Sequence, residues 1–166
     1  MKIFLLLILV LATSTSYAQN NYLKIEPLNI AMERRGDWSN DATEVLYVGT
    51  RCASLYGIVG SYFKTNSSAT EDLILGEDFT SRALVIRQGL GVLGMLAKID
   101  VQLSKARSIE LSKYYAQKMG DNKKLLNNAF SSPIEDDLAF CSLHEHNYVR
   151  LSQMINDEAQ KKRSVR

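Results

Sequence analysis

The sequence predicts an all-α protein, a single-domain helical bundle of about four main helices behind a cleaved N-terminal signal peptide. Three observations carry this. Only two prolines, Pro27 and Pro133, interrupt a chain rich in Leu, Ala, Lys, Glu and Ile. Apolar residues recur at steps of three and four, the period of a helix face. Strand-length runs broken by turn signals about every 8 to 12 residues, the rhythm of an all-β domain, do not occur.

Residues 1–18 read as the signal peptide. Lys2 precedes an apolar run from Ile3 to Ala12 that is too short to span a bilayer, and the small residues Ser16 and Ala18 stand where signal peptidase cleaves, ahead of Gln19. Such a signal directs the search for function to the periplasm or the extracellular space. The expected mature chain, Gln19 to Arg166, has 148 residues, enough for one hydrophobic core. Its 19 basic residues face 18 acidic ones, and that balance argues against a nucleic-acid surface or strong attraction to anionic lipid. The longest apolar run after the signal, Gly89 to Ala97, is flanked by Arg87 and Lys98 and is too short for a transmembrane segment.

Residues 19–36 form a polar N-terminal segment in which Ile25, Leu28 and Met32 are spaced for a short helix after Pro27. The bundle domain is expected over 37–160. Asp37, Ser39 or Asn40 can cap its first main helix, whose apolar stripe is Val45, Val48, Cys52, Leu55, Val59, Tyr62 and Phe63. On the same helix Gly49, Ala53, Gly57 and Ser61 form a ridge of small residues that lets another helix approach closely. Lys64 to Gly76 reads as a connector and contains the sequon Asn66-Ser67-Ser68, which matters only in a host that glycosylates it.

Helical character then runs from Asp78 to Met119, with Gly120 as its stop. A helix of that length would approach about 60 Å, so a bend or break is expected at Gly89–Gly94 or Ser104–Ser108. Asp121 to Ser131 reads as a linker. Ser132, Pro133 and Glu135 then make a cap, a first-turn proline and a capping box for the last helix. Its stripe is Leu138, Cys141, His144, Tyr148, Leu151 and Ile155. Residues 161–166 form a basic tail suited to a frayed, solvated helix end.

Cys52 and Cys141 are the only cysteines, each on a buried stripe. In an oxidising compartment an even pair predicts a disulfide, with two separate buried thiols as the rival. Cys141 and His144 lie one turn apart, but His146 points about 200° away from His144, so the residues make a poor metal site. Gly89, Gly91 and Gly94 match the spacing of a dinucleotide-binding loop without its strand or its later acidic residue. Neither a Gly-x-Ser-x-Gly elbow nor a His-Glu-x-x-His motif occurs, and the acidic clusters Glu71-Asp72, Glu77-Asp78 and Glu135-Asp136-Asp137 fit the positive ends of helix dipoles.

The sequence therefore names no catalytic residue, metal site or cofactor. It favours a non-enzymatic binding or assembly component whose partner is another envelope or extracellular protein, with Trp38, Tyr114 and Tyr115 as candidate anchors. One alternative is a small-ligand or metal carrier with a pocket near Cys52, Cys141, His144 and Tyr148. The other is an envelope hydrolase using carboxylates.

Overall fold

The computed structural model describes residues 25–100 and 102–164, and among them all regular structure is helical. The signal peptide and residues 19–24 lie outside the described residues. Five α-helices are present where about four were expected: α1 (Leu28–Arg35), α2 (Ala42–Asn66), α3 (Thr70–Ala97), α4 (Gln102–Leu126) and α5 (Ile134–Ser164), with a 3-10 turn at Trp38–Asn40.

The short helix after Pro27 forms as α1, and Leu28 and Met32 are buried. The cap of α2 is Asp41 rather than Asp37, Ser39 or Asn40. Those three residues belong to or flank the 3-10 turn, which leaves Asp41 extended, with its carboxylate accepting the Thr43 and Glu44 N–H groups. The expected connector over 64–76 shrinks to Ser67–Ala69, because Gly76 lies inside α3. There it is a packing residue. A Cβ on Gly60 would come within 2.8 Å of the Gly76 carbonyl, so the two backbones touch. Ala53 close to Arg87, and Gly49 beneath Leu90, continue the same antiparallel hairpin of α2 and α3.

The long 78–119 helix is divided between the two expected sites, at Lys98–Asp100. Lys98 adopts a left-handed conformation (φ 55°), its N–H and that of Ile99 both return to the Gly94 carbonyl, and Asp100 accepts the Gln102 N–H at 2.8 Å to start α4. Gly89 stays helical and faces a neighbour: a Cβ there would lie 2.5 Å from the Tyr148 carbonyl oxygen. Gly120 does not end α4, which continues through much of the expected linker to Leu126 and stops at Asn127, another left-handed residue (φ 53°). The expected capping box of α5 is replaced. The Pro133 carbonyl accepts the Asp137 N–H at 3.1 Å, and the Ser132 hydroxyl bonds the Asp136 carboxylate. At its far end α5 takes in Lys161 to Ser164 of the expected tail.

Helix α2 is the axis of the molecule. It packs against α3, α4 and α5, whereas α4 meets α5 only slightly and α3 hardly touches α4. Most of its middle is consequently buried, including Val48, Cys52, Leu55, Tyr56 and Val59. Cys52 and Cys141 are bonded across α2 and α5, with Cα atoms 5.5 Å apart and 89 residues between them. Closing a loop of that length restricts the unfolded chain and favours folding by about 4.6 kcal/mol in the chain-entropy model.

Two glycines separate packing from propensity. A Cβ on Gly49 would lie 2.5 Å from Leu90 Cδ2 and 2.6 Å from Tyr148 Cε1, whereas one on Gly91 meets nothing within 4 Å. Gly49→Ala is expected to destabilise by about 1–3 kcal/mol through overpacking, and Gly91→Ala to stabilise by up to about 1 kcal/mol through helix propensity. Urea unfolding of both variants measures this; equal effects would contradict the packing described here.

Candidate functional site

Because α3 and α4 both lie on α2 without closing on each other, a groove remains between them. Its floor is Leu46, Thr50 and Ala53, one face of α2; Arg87, Leu90 and Gly91 form the α3 wall, and Ser104, Lys105, Ser108 and Ile109 the α4 wall. The volume is about 340 Å³. The hydroxyls on or beside the floor are turned inward. Thr50 donates to the Leu46 carbonyl at 2.7 Å, Ser54 donates to the Thr50 carbonyl at 2.8 Å, and Ser108 Oγ lies 3.0 Å from Ser54 Oγ. The surface offered to a visitor is therefore apolar, and Ile109 at its edge is 54% exposed. Among the described residues neither Arg87 nor Lys105 forms an ion pair. Among the described residues the groove thus has an apolar floor and one cation outside any ion pair on each wall.

The small-residue ridge contributes unevenly to the helix contacts. Gly49 lies beneath Leu90 and Tyr148, Ala53 is part of the groove floor, and Gly57 faces the Arg87 guanidinium. Ser61 is exposed and donates to the Gly57 carbonyl, while its neighbour Gly60 makes the close approach to α3.

His144 and Tyr148 do not line this groove or the cavity beside Tyr47. Tyr148 is buried, and its hydroxyl donates to the Val45 carbonyl at 2.9 Å. Burial pushes its ionisation above the usual tyrosine range, with the Gly49 backbone opposing. His144 joins Trp38 and Phe140 in an aromatic cluster, with ring centroids 5.1 and 4.5 Å away. Tyr114 and Tyr115, considered as anchors, are core residues, and Trp38 is half-buried in that cluster. The two cysteines are bonded to each other and unavailable to a metal. Among the described residues no three His, Cys, Asp or Glu side chains gather as a metal site would require.

Two polar networks escaped the sequence reading. Arg51, 1% exposed, pairs with Asp137, which is fully buried. The Asp137 carboxylate also accepts the Leu28 N–H and the Tyr115 hydroxyl, each at 2.6 Å. Tyr115 in turn accepts Arg51 Nε at 3.0 Å, and Arg51 Nη1 donates to the Glu26 carbonyl at 2.8 Å. Burial works against the Arg51 charge, but Tyr115, Asp137 and Tyr47 outweigh it and hold the guanidinium protonated beyond the ordinary arginine range. Burial likewise drives the Tyr115 hydroxyl well up, so it remains a donor. In the second network Glu145 accepts Arg82 Nε at 2.8 Å and the Tyr56 hydroxyl at 3.0 Å, with Arg82 lying 4.5 Å over the Tyr56 ring. Asp137 accepts on both carboxylate oxygens, whereas Glu145 takes its donors on Oε2 alone and stays partly exposed; each network locks helices together. The one signal in the sequence was Arg51 itself, a cation set among the apolar residues of α2.

Comparison with known protein families, with curated proteins and with solved structures found no match to this chain.

Burial, and secondarily repulsion from His146, lowers the His144 pKa. A base whose folded pKa lies below its unfolded value favours folding above the unfolded pKa, near 6.5, and loses that contribution as pH falls toward the folded value. Denaturation midpoints are expected to drop between about pH 7 and pH 5, and His144→Gln to flatten that fall. An unchanged slope in the variant would contradict this assignment.

Proposed function

We propose that this chain is an exported, non-enzymatic binding protein that holds a helix of a partner protein in the groove between α3 and α4. The observation that carries the reading is the groove's composition, an apolar floor on the most buried helix of the fold with a cation on either wall. An amphipathic helix presenting apolar residues at steps of three and four matches such a floor, and acidic residues on its flanks match Arg87 and Lys105. The partner is thus a protein of the envelope or extracellular space carrying an acidic amphipathic helix. Residues 1–18, with their signal-peptide pattern, and the buried Cys52–Cys141 bond support an oxidising compartment outside the cytoplasm. No described helix is long and apolar enough to cross a membrane.

The engagement of Asp137 on both oxygens, and of Glu145 with Arg82 and Tyr56, supports binding over hydrolysis. A hydrolase needs at least two converging groups free to exchange protons, and these two carboxylates instead accept fixed donors from neighbouring helices.

Gly91 supplies the test, since a side chain there points into open space at the groove wall. A synthetic helical peptide with leucines along one face and glutamates beside them is expected to bind at least about tenfold more tightly than its lysine-flanked twin, a difference of about 1.4 kcal/mol. Gly91→Trp is expected to abolish that binding without lowering the melting temperature. Equal binding of the two peptides, or undiminished binding to the variant, would overturn the proposal.

A further inference from the structure

A second cavity, of about 400 Å³, lies on another side of α2, where α1 and α4 approach it. Among its lining residues is the half-buried Tyr47. Three guanidinium groups surround the Tyr47 ring: Arg35 at 5.2 Å, Arg107 at 5.3 Å and Arg51 at 5.9 Å from the centroid. Two of them are neutralised, Arg35 by Glu44 and Arg51 by Asp137. Glu26, also in the lining, pairs with Arg34. Among the described residues of the lining, one cation and one anion remain. Arg107 and Glu110 both line the cavity, and among the described residues neither takes part in an ion pair.

These two residues stand three apart on α4, close enough to face the same space. Arg107 nevertheless lies over the Tyr47 ring, which holds its planar fork in place. A ligand with net negative charge would find Arg107 but also the carboxylates of Glu26, Glu44 and Glu110. One with net positive charge would meet three guanidiniums. A small zwitterion satisfies both free groups. From this geometry we infer that the cavity beside Tyr47 binds a free amino acid or a dipeptide, its carboxylate on Arg107 and its ammonium group on Glu110. The Tyr47 ring and the neighbouring Ile25 and Leu111 supply apolar wall for the rest of the molecule. A cavity of this size falls within the range typical of small-molecule sites, roughly 300–1,000 Å³.

This inference is independent of the α3/α4 groove, and its test reads different residues. The mature chain, isotope-labelled, is titrated with pools of L-amino acids and of dipeptides, and with the same compounds N-acetylated or C-amidated. Saturable shifts are expected at Tyr47, Arg107 and Glu110, and blocking either terminus is expected to weaken binding by about tenfold or more, the scale of one lost charge-assisted contact. Arg107→Gln and Glu110→Gln, both exposed positions, are each expected to produce a similar loss with melting unchanged. Whether single amino acids or dipeptides saturate first identifies the source. Absence of saturable shifts overturns the inference. So does equal binding of acetylated compounds, or full competition by inorganic phosphate, since either defines a simple anion site.

Discussion

The Arg51–Asp137 ion pair is the constraint around which the rest of the molecule is arranged. Both charges are removed from water, a step that costs several kcal/mol per ion unless each is surrounded by partners. Besides each other, which joins α2 to α5, the two ions find three partners: the Leu28 N–H at the start of α1, the Glu26 carbonyl just before it, and Tyr115 of α4. No single helix can satisfy this network. The chain segment entering α1 must lie against α5, and α4 must bring Tyr115 into the core beside α2, for any member to be tolerated. A buried pair of this type adds little net stability over an apolar replacement, yet removal of one partner is severe. Its role in this bundle is to fix one arrangement of four elements.

The disulfide and the glycine contacts act on the same axis from other sides. Cys141 lies one helical turn beyond Asp137, so the bond to Cys52 and the ion pair to Arg51 anchor adjacent turns of α5 to adjacent residues of α2. Tyr148, two turns further, rests on Gly49 and Gly89 and ties α5 to both helices of the hairpin. With α5 so placed, one side of α2 is closed. Among the described residues the side between α3 and α4 is held by no comparable lock, and the apolar groove lies there. The polar cavity beside Tyr47 borders the ion-pair network itself, since Arg51 contributes to both. Rigidity in the centre thus leaves two differently furnished surfaces at the periphery.

Much of the architecture was legible in the sequence because it depends on local periodicity. The three-and-four spacing of α2 and α5 placed both cysteines on inward faces, and the short helix after Pro27 followed from Leu28 and Met32. The breaks were harder to read. Gly76, Gly89 and Gly120 suggest termini when read alone, but two of them serve close contacts with residues far along the chain, and sequence does not distinguish a glycine that packs from one that ends a helix. The actual stop, Lys98, is an ordinary residue in a left-handed conformation, without a compositional mark. Asp137 was legible as a first-turn anion on α5, whereas its partner lies 86 residues away. The groove and the cavity were not legible for a related reason: Leu46, Leu90 and Ile109 meet only after three helices have packed, and Tyr47 gathers its arginines from α1, α2 and α4.

The most direct test is a double-mutant cycle on Arg51 and Asp137, using Arg51→Met, Asp137→Leu and the double variant, followed by urea unfolding. Each single substitution strands a buried charge and is expected to cost about 3–5 kcal/mol. The double variant should cost less than the sum by at least about 2 kcal/mol. Additive losses, with no coupling between the two positions, would contradict a fold organised around this pair.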